Sequence, residues 1–331
     1  MFQKLLSHPV VSLAIVAMVA LGVFICVFPH YFPSFSWGVN YAVQLMLLYL
    51  AGGMVFLFLK QPRLTLACFA GCAALCFFLK YSVKNDSIER WRQTVIQKRM
   101  PEPAIESGPT LKLAHLNVTN IRAQAEVLEA IERANADILS VHEVTPDWEQ
   151  WLLDSVAPHY PHYHAMVDIG IFGVAVFSKH RLEQVDTFYH EGIPNLRIMA
   201  NLDGQPVCLV SIHTEPALNT YSLRRLQEHL ALAADSLKKV ELPLIVFGDF
   251  NAVNWSDEIK VFLKNADLLQ SRMGFMAGGF PFGVPLDHIF YSRHFMCNDF
   301  YVMRTPSSSH LGIIGTFQLN RQTQHVRKTA Q

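Results

Sequence analysis

The first eighty residues are continuously apolar and lack the polar face that a helix of a soluble protein shows. Residues 5–59 contain no Lys, Arg, Asp or Glu, and apolar stretches cover residues 10–28, 39–59 and 64–79. Each stretch is close to the ~20 residues with which a helix crosses a bilayer. The pattern therefore predicts a membrane anchor of three transmembrane helices in residues 1–80. A signal peptide would explain only the first stretch, and a buried helical hairpin is the other alternative.

The charges around these stretches bear on their orientation. The loop after the first stretch has no Lys or Arg, whereas the next loop contains Lys60 and Arg63. Under the positive-inside rule this favours an internal N terminus and an external, periplasmic C-terminal part. The four Lys and Arg residues between positions 80 and 92 favour the opposite orientation. We expect a multi-pass protein of the cytoplasmic membrane with its larger part outside.

Beyond the anchor the pattern is that of a globular domain. Residues 81–110 are polar and proline-containing, which predicts a linker with a short helix at residues 88–96, and residues 321–331 form a polar tail. Between them, apolar periodicity predicts helices around residues 127–131 and 222–238 and others beginning at Pro146 and after Ser256. Strands are predicted at residues 111–118, 138–141, 172–177, 198–202, 206–212, 243–247, 287–291, 300–303 and 313–319. Hairpins are mixed with crossovers, so residues 111–320 are expected to form a two-sheet α/β sandwich.

Charge and cysteine content exclude some simple interpretations. From residue 111 onward the chain has 18 Lys and Arg against 23 Asp and Glu, a net charge of −5. Nucleic-acid-binding domains usually carry a basic footprint, so composition gives no support for a nuclease, although a local basic patch would suffice. The six cysteines form neither a disulfide framework nor a CxxC zinc motif.

Several strands end in polar residues that are costly to bury without partners. A divalent cation and a phosphate group would explain them if they meet at one edge of the fold. The candidates are Asn117, Glu143, His213, Asp249, Asn251, Asp287 and His310. Singly each has an ordinary alternative, such as a turn, a helix cap or a core histidine. Their occurrence in order at strand boundaries favours a site.

The chemistry of these residue types fits metal-assisted hydrolysis. Mg²⁺ takes oxygen ligands, which Asn117 and Glu143 offer. A histidine held by a carboxylate is a general base for water, and His310 with Asp287 is the candidate pair. His213 is a donor for a phosphoryl oxygen. Two further side chains, at positions 249 and 251, should point the same way if their segment is extended.

These segments resemble the endonuclease/exonuclease/phosphatase superfamily, whose fold is DNase I-like. The matching segments are Leu116-Asn117-Val118, Val141-His142-Glu143-Val144, Ile212-His213-Thr214-Glu215-Pro216, Gly248-Asp249-Phe250-Asn251, Leu286-Asp287-His288-Ile289 and Ser309-His310. Three membrane helices before such a domain resemble a membrane-anchored bacterial subgroup.

The resemblance implies a role for each position. Asn117 and Glu143 would bind Mg²⁺ or Mn²⁺, and His213 would contact the scissile phosphate. Asp249 and Asn251 would orient the nucleophile and the phosphate or bind metal. Asp287 would orient His310, the general base. One position departs from the family pattern, because Ser309 stands where an Asp is usual.

These observations predict a membrane-anchored, metal-dependent phosphoesterase. The bilayer partner and the acidic domain favour a lipid-linked phosphate as substrate. The first alternative is a membrane-tethered nuclease acting on DNA or RNA. The second is a catalytically impaired binding or scaffold protein of the same fold, for which Ser309 is the best support. Trp255 remains open as a residue of the cleft or of the core, and the tract His159, His162 and His164 is interpreted as an exposed loop rather than a metal site.

Overall fold

The computed structural model describes residues 6, 8–83, 108–118, 124–272, 274, 283–303, 310 and 312–320. The predicted linker helix at residues 88–96, Ser309 and the polar tail at residues 321–331 lie outside these ranges.

Three long apolar helices open the chain, in agreement with the pattern of the sequence. They are α1 (Pro9–Val27), α2 (Ala42–Phe58) and α3 (Pro62–Ser82). Proline begins α1 and α3, where its missing N–H costs nothing. The short 3₁₀ helices Pro29–Tyr31 and Pro33–Tyr41 connect α1 to α2, so the second α-helix begins later than residue 39. Three spans are long and apolar enough to cross a membrane, namely Pro9–Val27, Pro33–Phe58 and Pro62–Ser82, and the second of them includes the 3₁₀ helix before α2.

The globular part is built from two mixed six-stranded sheets. The first contains β1 (Thr110–Asn117), β2 (Ile138–His142), β3 (His162–Met166), β4 (Val174–Ser178), β11 (Phe295–Met303) and β12 (Gly312–Leu319), in the order β11-β12-β1-β2-β4-β3. The second contains β5 (Leu182–His190), β6 (Ile193–Leu202), β7 (Gln205–His213), β8 (Leu244–Asp249), β9 (Leu269–Gln270) and β10 (Asp287–Tyr291), in the order β5-β6-β7-β8-β10-β9.

Helices cover the outer faces of both sheets. They are α4 (Gln124–Ala134), α5 (Pro146–Ser155), α6 (Thr220–Leu237) and α7 (Asp257–Ala266). Leu113, Phe247 and Phe317 belong to the apolar core between the sheets. A second core lies under α4 and α5, and a third lies under α6 and α7. The predicted two-sheet α/β sandwich is confirmed.

Three strands, β3, β5 and β9, were not predicted from the sequence pattern, and all lie at sheet edges. β5 alternates between half-buried and exposed residues, and β9 has only two residues. On β3, His162 and His164 pair with β4, so the interpretation of this tract as an exposed loop was wrong. Edge strands bury little apolar surface, which weakens the periodicity that identifies them.

The globular part contacts the three apolar helices, the candidate membrane anchor, through two loops. Trp255 is only 1% exposed and packs with Val253 and Leu286 against the three long helices. Its indole Nε1 donates to the carbonyl oxygen of Val39 at 2.8 Å. Gln44 Nε2 donates to the carbonyl oxygen of Gly283 at 3.2 Å. Trp255 is therefore a core residue of the contact with the anchor.

Candidate functional site

Strand register brings the predicted polar residues to one end of the sandwich. β1 and β2 are parallel, and Asn117 lies beside His142. β7 and β8 are also parallel, and His213 lies beside Asp249. The antiparallel strand β10 then places Asp287 next to Asp249. The carboxyl ends of four strands and the start of a fifth thus form one cluster, the kind of edge where α/β folds bind ligands.

Asn117 connects the two sheets at this cluster. Its Nδ2 donates to Glu143 Oε1 at 2.8 Å and to Asp249 Oδ2 at 3.2 Å. Glu143 follows β2 with a φ of 61°, in the left-handed region that ends the strand. Two carboxylates on opposite sheets are thereby held against one amide.

Asp287 is bound by two histidines. His310 Nδ1 lies 3.1 Å from Asp287 Oδ2, and His115 Nε2 lies 3.2 Å from Asp287 Oδ1. The other ring nitrogen of His115 is 3.0 Å from Ser140 Oγ. His310 Nδ1 is also 3.6 Å from Asp249 Oδ2. The predicted pair of His310 and Asp287 is present, and it has a third member that the sequence analysis did not include.

Asp249 and Asn251 lie together in a tight turn. Asp249 Oδ1 accepts the backbone N–H of Asn251 at 2.9 Å, and Asn251 has a φ of 48°. Asn251 Nδ2 donates to the carbonyl oxygen of Thr214 at 2.7 Å. The assumption of an extended segment was wrong, because aspartate readily bonds its own backbone two residues on. The turn still keeps both residues at the cluster.

His213 is a buried member of the cluster, as Asn117 and Asp249 are. It is 2% exposed, its ring stacks on His142 at 4.6 Å, and its Nε2 lies 3.9 Å from Asp249 Oδ2. His142 Nε2 is within 2.8 Å of Ser211 Oγ. Burial lowers the pKa of His213 to about 3, with a further contribution from His115. Burial and then His115 lower the pKa of His142 well below its usual range as well, so both stacked rings are neutral at physiological pH.

The carboxylates and His310 set one another's protonation. Burial and the neighbouring Asp287 raise the pKa of Asp249 to about 7. Burial opposes ionisation of Asp287, but the charge of His310 and the hydrogen bonds from both histidines hold its pKa below the usual range. Burial also opposes protonation of His310, yet Asp287 and Asp249 raise its pKa to about 10. The carboxylates concentrate negative charge in the cluster, and a bound cation would offset this charge.

The donor set fits a hard divalent cation. One ligand atom each from Glu143, His213 and Asp249 lie within 4.8 Å of one another, as do those of Asp249, Asp287 and His310. Carboxylate oxygens dominate both groups, as Mg²⁺ and Mn²⁺ prefer. A cation bound there would also offset the negative charge that raises the pKa of His310.

The residues that the sequence analysis missed carry a recognisable signal. Three strands end in a polar residue of the cluster, and each has a second polar residue two positions earlier, on the same face of the strand. These are His115 before Asn117, Ser140 before His142 and Ser211 before His213, all at most 1% exposed at the earlier position. Arg272 is a further buried residue, and its Nη2 donates to the carbonyl oxygen of Asp287 at 3.4 Å.

Comparisons with known proteins give consistent findings. A model of the Endonuclease/Exonuclease/phosphatase family matches residues 117–310. An endonuclease/exonuclease/phosphatase from Beutenbergia cavernae matches with a TM-score of 0.53 and 16% identity, over 64% of this chain and 72% of that chain. A family protein from Bacteroides thetaiotaomicron matches with a TM-score of 0.52 and 14% identity, over 65% and 100%.

A further structure, D. rerio TDP2 complexed with a single-strand DNA product, matches with a TM-score of 0.51 and 17% identity, over 63% of this chain and 98% of that chain. Among curated proteins, none matches this chain. At such identities the likeness to solved structures concerns the fold.

Proposed function

This chain belongs to the endonuclease/exonuclease/phosphatase family, and from this premise we propose that it hydrolyses a lipid-linked phosphate ester at the membrane surface. Its enzyme class is that of the metal-dependent phosphoric ester hydrolases. One observation supports the lipid substrate above all. The loop that follows Asn251 and the loop that precedes Asp287 both pack on the three apolar helices. Two segments that carry residues of the cluster are therefore attached to the candidate anchor.

The proposed roles follow from the contacts. Asn117 and Glu143, with Asp249 beside them, would hold Mg²⁺ or Mn²⁺. Bound there, the cation supplies charge stabilisation for the phosphoryl oxygens. Asp287 faces Nδ1 of His310, which leaves Nε2 to take a proton from the attacking water if a bound cation offsets the negative charge that raises the pKa of His310.

Two more residues complete the proposed site. Asn251 is held beside Asp249 by its hydrogen bond to the carbonyl oxygen of Thr214, and its amide would orient the phosphate. His213, whose Nε2 lies 3.9 Å from Asp249 Oδ2, would contact the phosphate. We place the catalytic domain at residues 111–320.

The test is turnover by the full chain in nanodiscs with Mg²⁺, using a lipid phosphate and plasmid DNA as substrates. His310→Ala and Glu143→Gln should each reduce lipid phosphate hydrolysis by roughly 10²-fold or more. His162→Ala on edge strand β3 is the matched control and should retain activity. Full activity of both site variants would reject the assigned roles. Absence of turnover by the wild-type chain would instead support the scaffold alternative.

A nuclease is the second candidate, and one observation favours it. The similar TDP2 structure contains a single-strand DNA product. The net charge of −5 after residue 110 and the contact with apolar helices favour the lipid substrate instead. Cleavage of plasmid DNA without hydrolysis of lipid phosphate would reverse this order.

We also propose that the catalytic domain lies on the external side of the cytoplasmic membrane. The loop between α2 and α3 carries Lys60 and Arg63, which favours its retention inside. α1 and α3 then both end on the opposite side, together with the domain. A reporter fused after Gln331 should be active only in the periplasm, and activity in the cytoplasm would invert the topology.

A further inference from the structure

A cavity of about 870 Å³ lies where α1, α3 and α7 meet, apart from the catalytic cluster. Two helices supply one apolar wall with residues spaced three or four apart, which places them on a single face of each helix. These residues are Ala20, Val23, Phe24 and Val27 on α1, Phe28 directly after it, and Ala74, Phe77, Phe78, Tyr81 and Ser82 on α3. The wall is open to its surroundings, since Phe77 is 59% and Tyr81 is 76% exposed.

The opposite wall is polar and carries an excess of positive charge. Lys260, Lys264 and Arg293 line it with a single acid, Asp267. Lys260 Nζ pairs with Asp257 at 3.1 Å, and Arg293 Nε approaches Asp267 at 3.6 Å. Lys264 makes no ion pair within the described part of the chain. Three exposed or half-exposed cations thus face the ends of two apolar helices.

A buried acceptor lines the same cavity. Asn254 is 3% exposed, and its Nδ2 donates to the carbonyl oxygen of Gly274 at 2.9 Å. Its Oδ1 has no hydrogen-bond partner among the described residues. Buried amide oxygens are rarely left unpaired, so a hydroxyl or ammonium group of a ligand would complete this side chain.

We propose that this cavity binds an anionic phospholipid of the surrounding bilayer. Its acyl chains would cover the apolar faces of α1 and α3, and Lys260, Lys264 and Arg293 would hold its phosphate. The volume falls in the range of ligand pockets, about 300–1,000 Å³. A soluble phosphate would leave the aromatic wall uncovered, and a neutral lipid would leave the excess positive charge of the opposite wall unbalanced. The occupant that satisfies both walls is amphiphilic and anionic.

This inference depends on insertion of the anchor into a membrane and not on the proposed catalytic function. Binding and turnover can therefore fail separately. The lipid would join the ends of α1 and α3 to α7, and α7 begins just after the loop that carries Trp255.

The test is native mass spectrometry of the full chain in detergent, titrated with phosphatidylglycerol, phosphatidylcholine or diacylglycerol. Phosphatidylglycerol should bind best. The triple variant Lys260→Gln, Lys264→Gln and Arg293→Gln should weaken its binding by roughly tenfold or more. The control variant Arg224→Gln, Lys238→Gln and Lys239→Gln removes the same charge from exposed positions outside the cavity and should bind as the wild type does.

A second pair of variants tests the apolar wall. Ala74→Trp fills the cavity and should abolish binding, whereas Ala73→Trp changes the exposed neighbour outside the cavity and should preserve it. Glycerol 3-phosphate, which has the headgroup chemistry without acyl chains, should not compete. Equal binding of all three lipids, equal losses in either matched pair, or competition by glycerol 3-phosphate would overturn the proposal.

Discussion

Asp287 shows how single residues organise the site. A carboxylate only accepts hydrogen bonds, so His115 carries its proton on Nε2 and its Nδ1 accepts from Ser140 Oγ. The same carboxylate faces Nδ1 of His310. His115 thereby fixes the orientation of the carboxylate, which in turn fixes the tautomer of the proposed base.

The substitution His115→Phe should test this arrangement. It removes both ring nitrogens at similar size, and kcat should fall by roughly 10-fold to 100-fold with little change in KM, as for partners one step removed from a metal site. Ser140→Ala is the matched control, because it removes only the partner of Nδ1 and should cost less. Steady-state kinetics on the same substrate measure both. Equal losses would contradict a specific role for the contact with Asp287.

A second prediction at the residue scale concerns pH. The pKa of His310 is raised to about 10 by Asp287 and Asp249, after burial has opposed protonation. A raised folded-state pKa contributes stability that is complete below the unfolded value of about 6.5 and is lost as pH rises towards the folded value.

In EDTA, the unfolding free energy of the wild type should therefore fall between pH 7 and pH 10. His310→Ala should lose most of this alkaline dependence. Denaturant titrations at several pH values provide the measurement, and parallel pH profiles of the two proteins would contradict the assignment.

At the scale of elements, the end of β8 depends on a glycine. Gly248 has a φ of 139°, and an added Cβ would lie 2.0 Å from the carbonyl oxygen of Ile212 and 2.8 Å from His142 Cε1. The parallel pairing of β7 and β8 therefore requires the absence of a side chain just before Asp249. This close approach is what places Asp249 against His213.

Gly248→Ala should destabilise the protein by several kcal/mol. The strained φ alone typically costs ~1–3 kcal/mol, and the backbone around Ile212 must also move to make room for the added Cβ. Gly204→Ala provides the control. Its φ is +83° and nothing lies within 4 Å of the added Cβ, so it should show only the conformational cost. Thermal unfolding compares the two variants, and equal shifts would contradict the steric argument.

Most helices and strands and most residues of the cluster could be predicted from the sequence, because both depend on the local order of residues along the chain. Asn117, Glu143 and Asp249 could be predicted from their positions at strand ends. The hydrogen bond between His115 and Asp287 joins residues 172 positions apart. The spacing of apolar residues along the chain does not predict such a contact. β5 was missed because its exposed face weakens the apolar pattern. The contact of Trp255 with Val39 depends on how the apolar helices and the globular part pack, which strand and helix patterns do not encode.

At the scale of the molecule, the anchor and the globular part share a core. Trp255 and Val253 pack with Leu75 and Leu79 of α3, and every one of these side chains is at most 2% exposed. The hydrogen bonds of Trp255 to Val39 and of Gln44 to Gly283 add directional contacts. The loops on both sides of the cluster therefore have an orientation set by the apolar helices.

Trp255→Phe should loosen this contact. It removes the bond to the carbonyl oxygen of Val39 and leaves a small cavity, so hydrogen exchange should increase at residues 252–256 and 283–286. Trp148→Phe, on α5 in a different core, is the control and should leave exchange at those residues unchanged. Exchange mass spectrometry of the full chain in nanodiscs gives the comparison. An unchanged pattern in Trp255→Phe would show that other contacts hold the two parts together.

The two loop contacts also have a consequence for the proposed lipid substrate. With its cleft attached to helices that are inserted in a bilayer, the enzyme would search for this lipid by lateral diffusion in two dimensions. Its rate would then follow the mole fraction of substrate in the leaflet and not the amount per litre. Adding inert lipid at constant substrate would slow turnover, whereas diluting the whole vesicle suspension would leave the rate per enzyme unchanged.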